Sequence, residues 1–201
     1  MNGYPVSSPQ VPHNVHSYGV DNQYALGISV PERYCNEISP LDQNFLSQDD
    51  AKKVRDDMQS KNRVYTGAQL IAARPKFPKH QPNIHAEYLL LRDTNPSHMQ
   101  NLLNKPGGGC AVFFTLNSPC VEHCSSPSGS RSIIPGLEMF TTYTGPKAFV
   151  FRQIYKHDLE ADWESNLRGL NLRIPVYRCE SNECVRCITN DDSVHPQCTA
   201  Q

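Results

Sequence analysis

His85-Ala86-Glu87, and beyond it Ser118-Pro119-Cys120-Val121-Glu122-His123-Cys124, are the residues of this chain whose types and spacing suit chemistry. One imidazole and two thiolates are ligands that a tetrahedral zinc accepts, and three of them leave a fourth corner open for water. Glu87 then stands beside the metal as a carboxylate that moves protons without ligating. Zinc lowers the pKa of bound water from about 16 to roughly 7, so a hydroxide nucleophile exists at neutral pH. Glu87 takes the water proton and returns protons to a ring nitrogen and a departing amine, the steps of hydrolytic deamination of an amino-substituted ring. The open corner marks a catalytic metal rather than a structural staple.

A lone His-x-Glu carries no information, and a lone Cys-x-x-x-Cys is as often a pair of buried thiols. Their conjunction is specific, because the apolar strand Ala111-Val112-Phe113-Phe114-Thr115-Leu116 leads into Pro119 and the first cysteine. If Pro119 opens a helix, Cys120 and Cys124 lie one turn apart on one face near its N-terminus, where the helix dipole favours thiolate charge. His85 likewise begins the run Tyr88-Leu89-Leu90-Leu91, so two helix N-termini are expected to meet at the metal.

Over residues 62 to 179 the chain resembles the cytidine deaminase superfamily, and within it the AID/APOBEC-like branch, closest to its secreted members. His85-Ala86-Glu87 matches the branch's His-Ala-Glu, and Phe114-Thr115-Leu116-Asn117-Ser118-Pro119-Cys120 its strand ending in Ser-Pro-Cys. Phe151-Arg152-Gln153-Ile154-Tyr155 resembles the next strand, and a helix from Ala161 to Leu170 and a strand from Leu172 to Tyr177 complete the order. The resemblance implies an α/β, three-layer fold with a mixed sheet of about five strands flanked by helices. It also implies Zn2+ as cofactor. The Ala86 N–H would meet a ring carbonyl, the Ser118 carbonyl would receive the leaving amine, and Tyr155 would lie over the base. Asn117, counted among the substrate-binding positions, stands where the polynucleotide deaminases usually carry Trp, so the aromatic floor of their base pocket is missing here or supplied from elsewhere. Ser125 to Ser132 reads as an insertion that reshapes the rim.

Cytosine, in a nucleoside or in single-stranded DNA or RNA, is the expected substrate, because such an enzyme meets its base outside a duplex; adenine is the alternative. Two readings of another class stand beside it: an idle deaminase fold that binds nucleic acid, and an extracellular interaction module with no role for the metal.

A net charge of −1 and a pI near 6.7 exclude a global field that draws the protein onto nucleic acid. Local candidates are Arg74, Lys76, Lys79 and His80, and Lys147, Arg152, Lys156 and His157, all expected to flank the zinc. No stretch is long and apolar enough for a membrane span, and the N-terminus carries neither the basic start nor the apolar run of a secretory signal. With Cys120 and Cys124 on zinc, Cys35, Cys110, Cys179, Cys184, Cys187 and Cys198 remain. They read as disulfides in an oxidising compartment, hence a secreted protein. The alternative is a second zinc held by Cys179, Cys184, Cys187 and His195 or Cys198 in a reduced cytoplasm.

Residues 1–22 read as a mobile leader, 23–178 as the folded domain and 179–201 as a Cys-rich tail. Tyr24 to Val30 is a buried strand stopped by Pro31, and Ser47 is the N-cap of a helix to about Ser60 with Asp49 and Asp50 in its first turn. Val64 to Ala73 is strand-like, interrupted by Gly67; Gly107-Gly108-Gly109 is a turn; Cys110 to Leu116 is a strand buried on both faces. Pro135 to Tyr143 is helical, with Leu137, Phe140 and Thr141 inward. Leu159, Trp163, Leu167 and Leu170 recur at helical spacing, which assigns Trp163 to the core.

Overall fold

The computed structural model describes residues 18–19, 23–35, 43–158, 163–180 and 183–200. In chain order the elements are β1 (Ala25–Pro31), α1 (Glu32–Cys35), a 3-10 turn (Gln43–Leu46), α2 (Ala51–Gln59), β2 (Val64–Thr66), β3 (Leu70–Ala73), α3 (Ala86–Leu91) and α4 (His98–Leu103). They continue with β4 (Gly108–Asn117), α5 (Ile134–Leu137), α6 (Met139–Thr142), β5 (Lys147–Gln153), α7 (Glu164–Asn171), β6 (Val176–Glu180), β7 (Glu183–Arg186) and a second 3-10 turn (Pro196–Cys198).

Strand residues alternate between two faces, and here both faces are apolar. Phe113 of β4 and Phe149 and Phe151 of β5 join α3 to α7 in one core. Val112 and Phe114, with Leu26 and Ile28 of β1, join Phe45, Leu46 and the α2 residues Val54 and Met58 in the other. The result is one mixed sheet between two helical layers, in the order β2-β3-β1-β4-β5-β6-β7. β4, β5 and β6 run parallel, the remaining neighbours antiparallel. Seven strands replace the expected five or so, because Gly67 divides 64–73 into the hairpin β2–β3 and residues 183–186 add β7 to β6. The expected strand from Leu172 begins only at Val176, since 172–174 forms the turn after α7.

Other expectations are corrected by hydrogen bonding. Asp50, not Ser47, caps α2, accepting the Lys53 N–H at 2.8 Å. Asp49 is not a first-turn carboxylate: fully buried, it accepts from Tyr65 Oη at 2.8 Å and from the N–H groups of Ala68 and Gln69 at 2.8 and 2.9 Å. It thereby closes the β2–β3 turn. Gly67 is required there, because a Cβ would stand 1.7 Å from Asp49 Oδ1. The helix expected over 135–143 is two four-residue pieces, and Thr141 faces solvent. Trp163 is core as expected, edge-on to Phe151 and donating its indole N–H to the Cys198 carbonyl at 3.1 Å.

The expected leader lies outside the described residues except for Tyr18 and Gly19, and Tyr18 is buried in the α2-side core. Leu159 and Ala161 also lie outside them. Disulfides join Cys35 to Cys110, Cys179 to Cys184 across the β6–β7 pair, and Cys187 to Cys198, which uses the sulfurs a second zinc would have needed. Among the described residues no helix is long and apolar enough to cross a membrane.

Candidate metal centre and active site

The site lies at one end of the central strands of the sheet. The register Ala25↔Thr115 and Asn117↔Gln153 places the start of β1 beside the ends of β4 and β5. The loop after β3 is closed by paired hydrogen bonds between Lys76 and Ile84, which deliver the chain to His85 at the N-terminus of α3.

His85, Cys120 and Cys124 converge there. His85 Nδ1 is 3.1 Å from the Cys124 sulfur and 3.7 Å from that of Cys120, and the sulfurs are 3.0 Å apart. One donor atom from each lies within 4.8 Å of the others, as a single metal ion requires. Tetrahedral zinc with ordinary bond lengths separates two sulfurs by about 3.8 Å and nitrogen from sulfur by about 3.6 Å, so the triangle fits after the sulfurs part slightly. Both thiols are buried and unpaired in a chain whose other described cysteines are all in disulfides. Their shared hydrogen bond draws Cys120 well below the ordinary thiol pKa and, with burial, pushes Cys124 up. Burial disfavours charge on His85, but the Cys120 hydrogen bond and the Glu87 carboxylate outweigh it and hold the imidazole above its usual pKa.

The helix expected from Pro119 does not form. Residues 121–124 make one turn, in which the N–H groups of Cys124 and Ser125 both reach the Cys120 carbonyl at 3.1 and 3.0 Å. The Ser125 hydroxyl donates to the Pro119 and Cys120 carbonyls at 3.2 and 3.1 Å, groups a continuing helix would have used. The 125–132 segment folds back, with Ile133 N–H bonding the Cys124 carbonyl and Arg131 lying 5.3 Å over the Tyr88 ring.

Glu87 has no exposed surface. Its Oε1 accepts from Thr115 Oγ1 at 2.7 Å, and the Gln23 amide reaches both carboxylate oxygens at 3.2 and 3.3 Å. Burial raises its pKa against the pull of His85 and of the Thr115 hydrogen bond. Neither donor was named as a site residue from sequence. Thr115 is an inward polar position in an apolar strand, a signal that was present. Gln23 left none, standing just before β1 and 64 residues from Glu87.

Ala86 is the buried first residue of α3, so its N–H has no partner within the helix. Ser118 continues the β4–β5 pairing: its N–H donates to the Gln153 carbonyl at 2.7 Å and its Oγ accepts the Tyr155 N–H at 2.9 Å. Tyr155 stands edge-on to His85 at 6.1 Å and to His157 at 5.1 Å. Asn117, two residues beyond Thr115 and so on the same strand face, accepts from Gln153 Nε2 at 2.7 Å.

The basic segments divide. Lys156 and His157 adjoin Tyr155, and 74–80 lies in the loop leading to His85. Lys76 pairs with Asp93 at 3.5 Å. Lys147, expected beside the metal, is at the other end of β5, about 20 Å away along the strand, where its Nζ donates to the Tyr143 carbonyl.

No curated protein and no solved structure matches the chain significantly. A family does: the sequence model of the Secreted Novel AID/APOBEC-like Deaminase 1 matches residues 10–201, so the chain belongs to that AID/APOBEC-like deaminase family.

Proposed function

We propose that this protein is a secreted, zinc-dependent deaminase that converts cytosine to uracil in a nucleoside or a single-stranded polynucleotide. The observation that carries the reading is the convergence of one imidazole and two unpaired thiols, with a wholly buried carboxylate two residues from the imidazole whose charge acts on both His85 and Cys124. His85, Cys120 and Cys124 would hold the ion. Zinc, when bound, supplies the Lewis acidity that makes water nucleophilic near neutral pH.

The chain's own residues do the rest. Glu87 carries two protons in turn: the first leaves the water as the C–O bond forms at C4 and stays on the ring nitrogen, and the second leaves the new C4 hydroxyl and goes to the amine as the C–N bond breaks and the carbonyl forms. Water and cytosine are consumed; uracil and ammonia are released. Thr115 and Gln23 keep the carboxylate in one orientation through that cycle. Tyr155 walls the His85 side, and the Asn117–Gln153 amide pair offers a polar surface where an aromatic would only stack. Lys156, His157, Lys79 and His80 are the groups that would meet phosphates of a strand, so polynucleotide binding would weaken steeply with salt. Three disulfides fit an oxidising compartment, which supports secretion.

The test is a substrate panel of cytidine, deoxycytidine, adenosine, single-stranded DNA and single-stranded RNA, read as a mass gain of about one dalton. Conversion of a cytosine substrate by the wild type, with Glu87→Ala inert but still metallated, supports the proposal. Zinc-loaded wild type that converts none of them refutes it.

A further inference from the structure

The turn that carries both sulfurs is not part of a helix, and an isolated turn is unfavourable by itself, because one hydrogen bond must offset the ordering of several residues. Its geometry is therefore imposed from outside. Val121, next to the first sulfur, has both main-chain groups held by side chains from other elements. Its N–H donates to Asp158 Oδ2 at 2.9 Å, and its carbonyl accepts from Asn166 Nδ2 at 3.0 Å. The same amide of Asn166 reaches Ser125 Oγ at 3.2 Å, and that hydroxyl in turn bonds the Pro119 and Cys120 carbonyls. Asp158 is buried and anchored by its own N–H to the Tyr155 carbonyl at 2.8 Å; Asn166 lies on α7. Ser125 is also buried.

We infer that Asp158 and Asn166 form a clasp that sets the position of the Cys120–Cys124 turn, and so are positioning residues for the metal site on which the proposed function rests. The clasp ties the turn after β5, the helix α7 and the ligand turn into one unit, so the sulfurs are presented to His85 before any ion arrives. Partners that orient metal ligands are ordinarily worth 10- to 100-fold in metal affinity. Asp158 is assigned by its acceptor oxygen, not by its charge, so an amide in its place would serve.

The test is zinc affinity of the full, disulfide-intact chain, measured by competition with a chromophoric chelator, together with the thiolate-to-metal absorption of the cobalt-substituted protein. Asn166→Ala and Asp158→Ala are expected to weaken zinc binding by about 10- to 100-fold and to alter the cobalt spectrum, whereas Asp158→Asn stays within about threefold of wild type. Ser125→Ala, which leaves both bonds to Val121 in place, gives a smaller loss and carries the test with the Asp158 pair should Asn166→Ala fail to fold. Wild type that binds zinc tightly while both alanine variants match it in affinity and spectrum overturns the inference alone. Equal losses in Asp158→Ala and Asp158→Asn overturn the hydrogen-bonding role. A wild type without affinity for zinc overturns the proposed function, and the clasp with it.

Discussion

Thr115→Val tests how Glu87, the proposed general acid/base, is held. Valine keeps the shape of threonine and removes one O–H group. That group donates to Glu87 Oε1 at 2.7 Å, where the carboxylate has no exposed surface and water cannot replace the lost donor. A hydrogen bond to an ionised group is worth about 1.5–3 kcal/mol. The Gln23 contacts that remain are longer, 3.2 and 3.3 Å, and come from a half-exposed side chain. If the whole loss falls on the reacting geometry, turnover drops about 10- to 150-fold. Zinc content stays the same, since Thr115 is none of the three candidate ligands. The assay is the conversion rate at saturating substrate, with zinc stoichiometry and the thermal midpoint measured on the same sample. Turnover within about twofold of wild type would refute the idea that this hydroxyl orients Glu87.

Three further outcomes follow from groups away from the metal. Asp49→Ala strands three donors, Tyr65 Oη and two main-chain N–H groups, and should cost about 3 kcal/mol, lowering the thermal midpoint by about 6–12 °C. Burial, and then the bond to Asp49 and its charge, hold the Tyr65 phenol above its ordinary pKa near 10, so the folded chain keeps that proton longer than the unfolded chain. The associated stability is complete below about pH 10 and is lost as pH rises beyond it, so the wild-type midpoint should fall more steeply above that pH than that of Tyr65→Phe. Removing the Cys35–Cys110 bridge, which closes a separation of 75 residues, should destabilise by up to about 4.5 kcal/mol on the chain-entropy account while zinc content is unchanged. Loss of zinc in that variant would show that the bridge supports the metal site after all.

What the sequence disclosed was set by local pattern, and what it concealed was set by contacts between distant segments. The candidate metal ligands and the carboxylate beside them were legible because His85, Cys120, Cys124 and Glu87 carry chemistry in their types. β4 was legible because an unbroken apolar run suits a strand buried on both faces. The helix at Pro119 failed for a local reason that competed with spacing: the Ser125 hydroxyl bonds the Pro119 carbonyl, which a helix would pair with the His123 N–H, and Pro127 follows. Asp49 looked like a helix-start carboxylate and instead serves a turn 19 residues away. The same blindness hid Gln23, Asp158 and Asn166, whose partners lie 64, 37 and 45 positions off along the chain. A single sequence carries no signal for such pairs. β7 was concealed by the cysteines in and around it, which read as tail chemistry until Cys179 and Cys184 proved to face each other across two strands.

The central claim is that one imidazole and two thiols share a metal. X-ray absorption at the zinc edge, on protein purified with its disulfides intact, addresses it directly. The account predicts one zinc per chain with two sulfur neighbours at about 2.3 Å and nitrogen or oxygen neighbours at about 2.0–2.1 Å, with metal lost on Cys124→Ala. Metal-free protein with Cys120 bonded to Cys124, or a zinc surrounded by sulfurs from the 179–198 region, would contradict it.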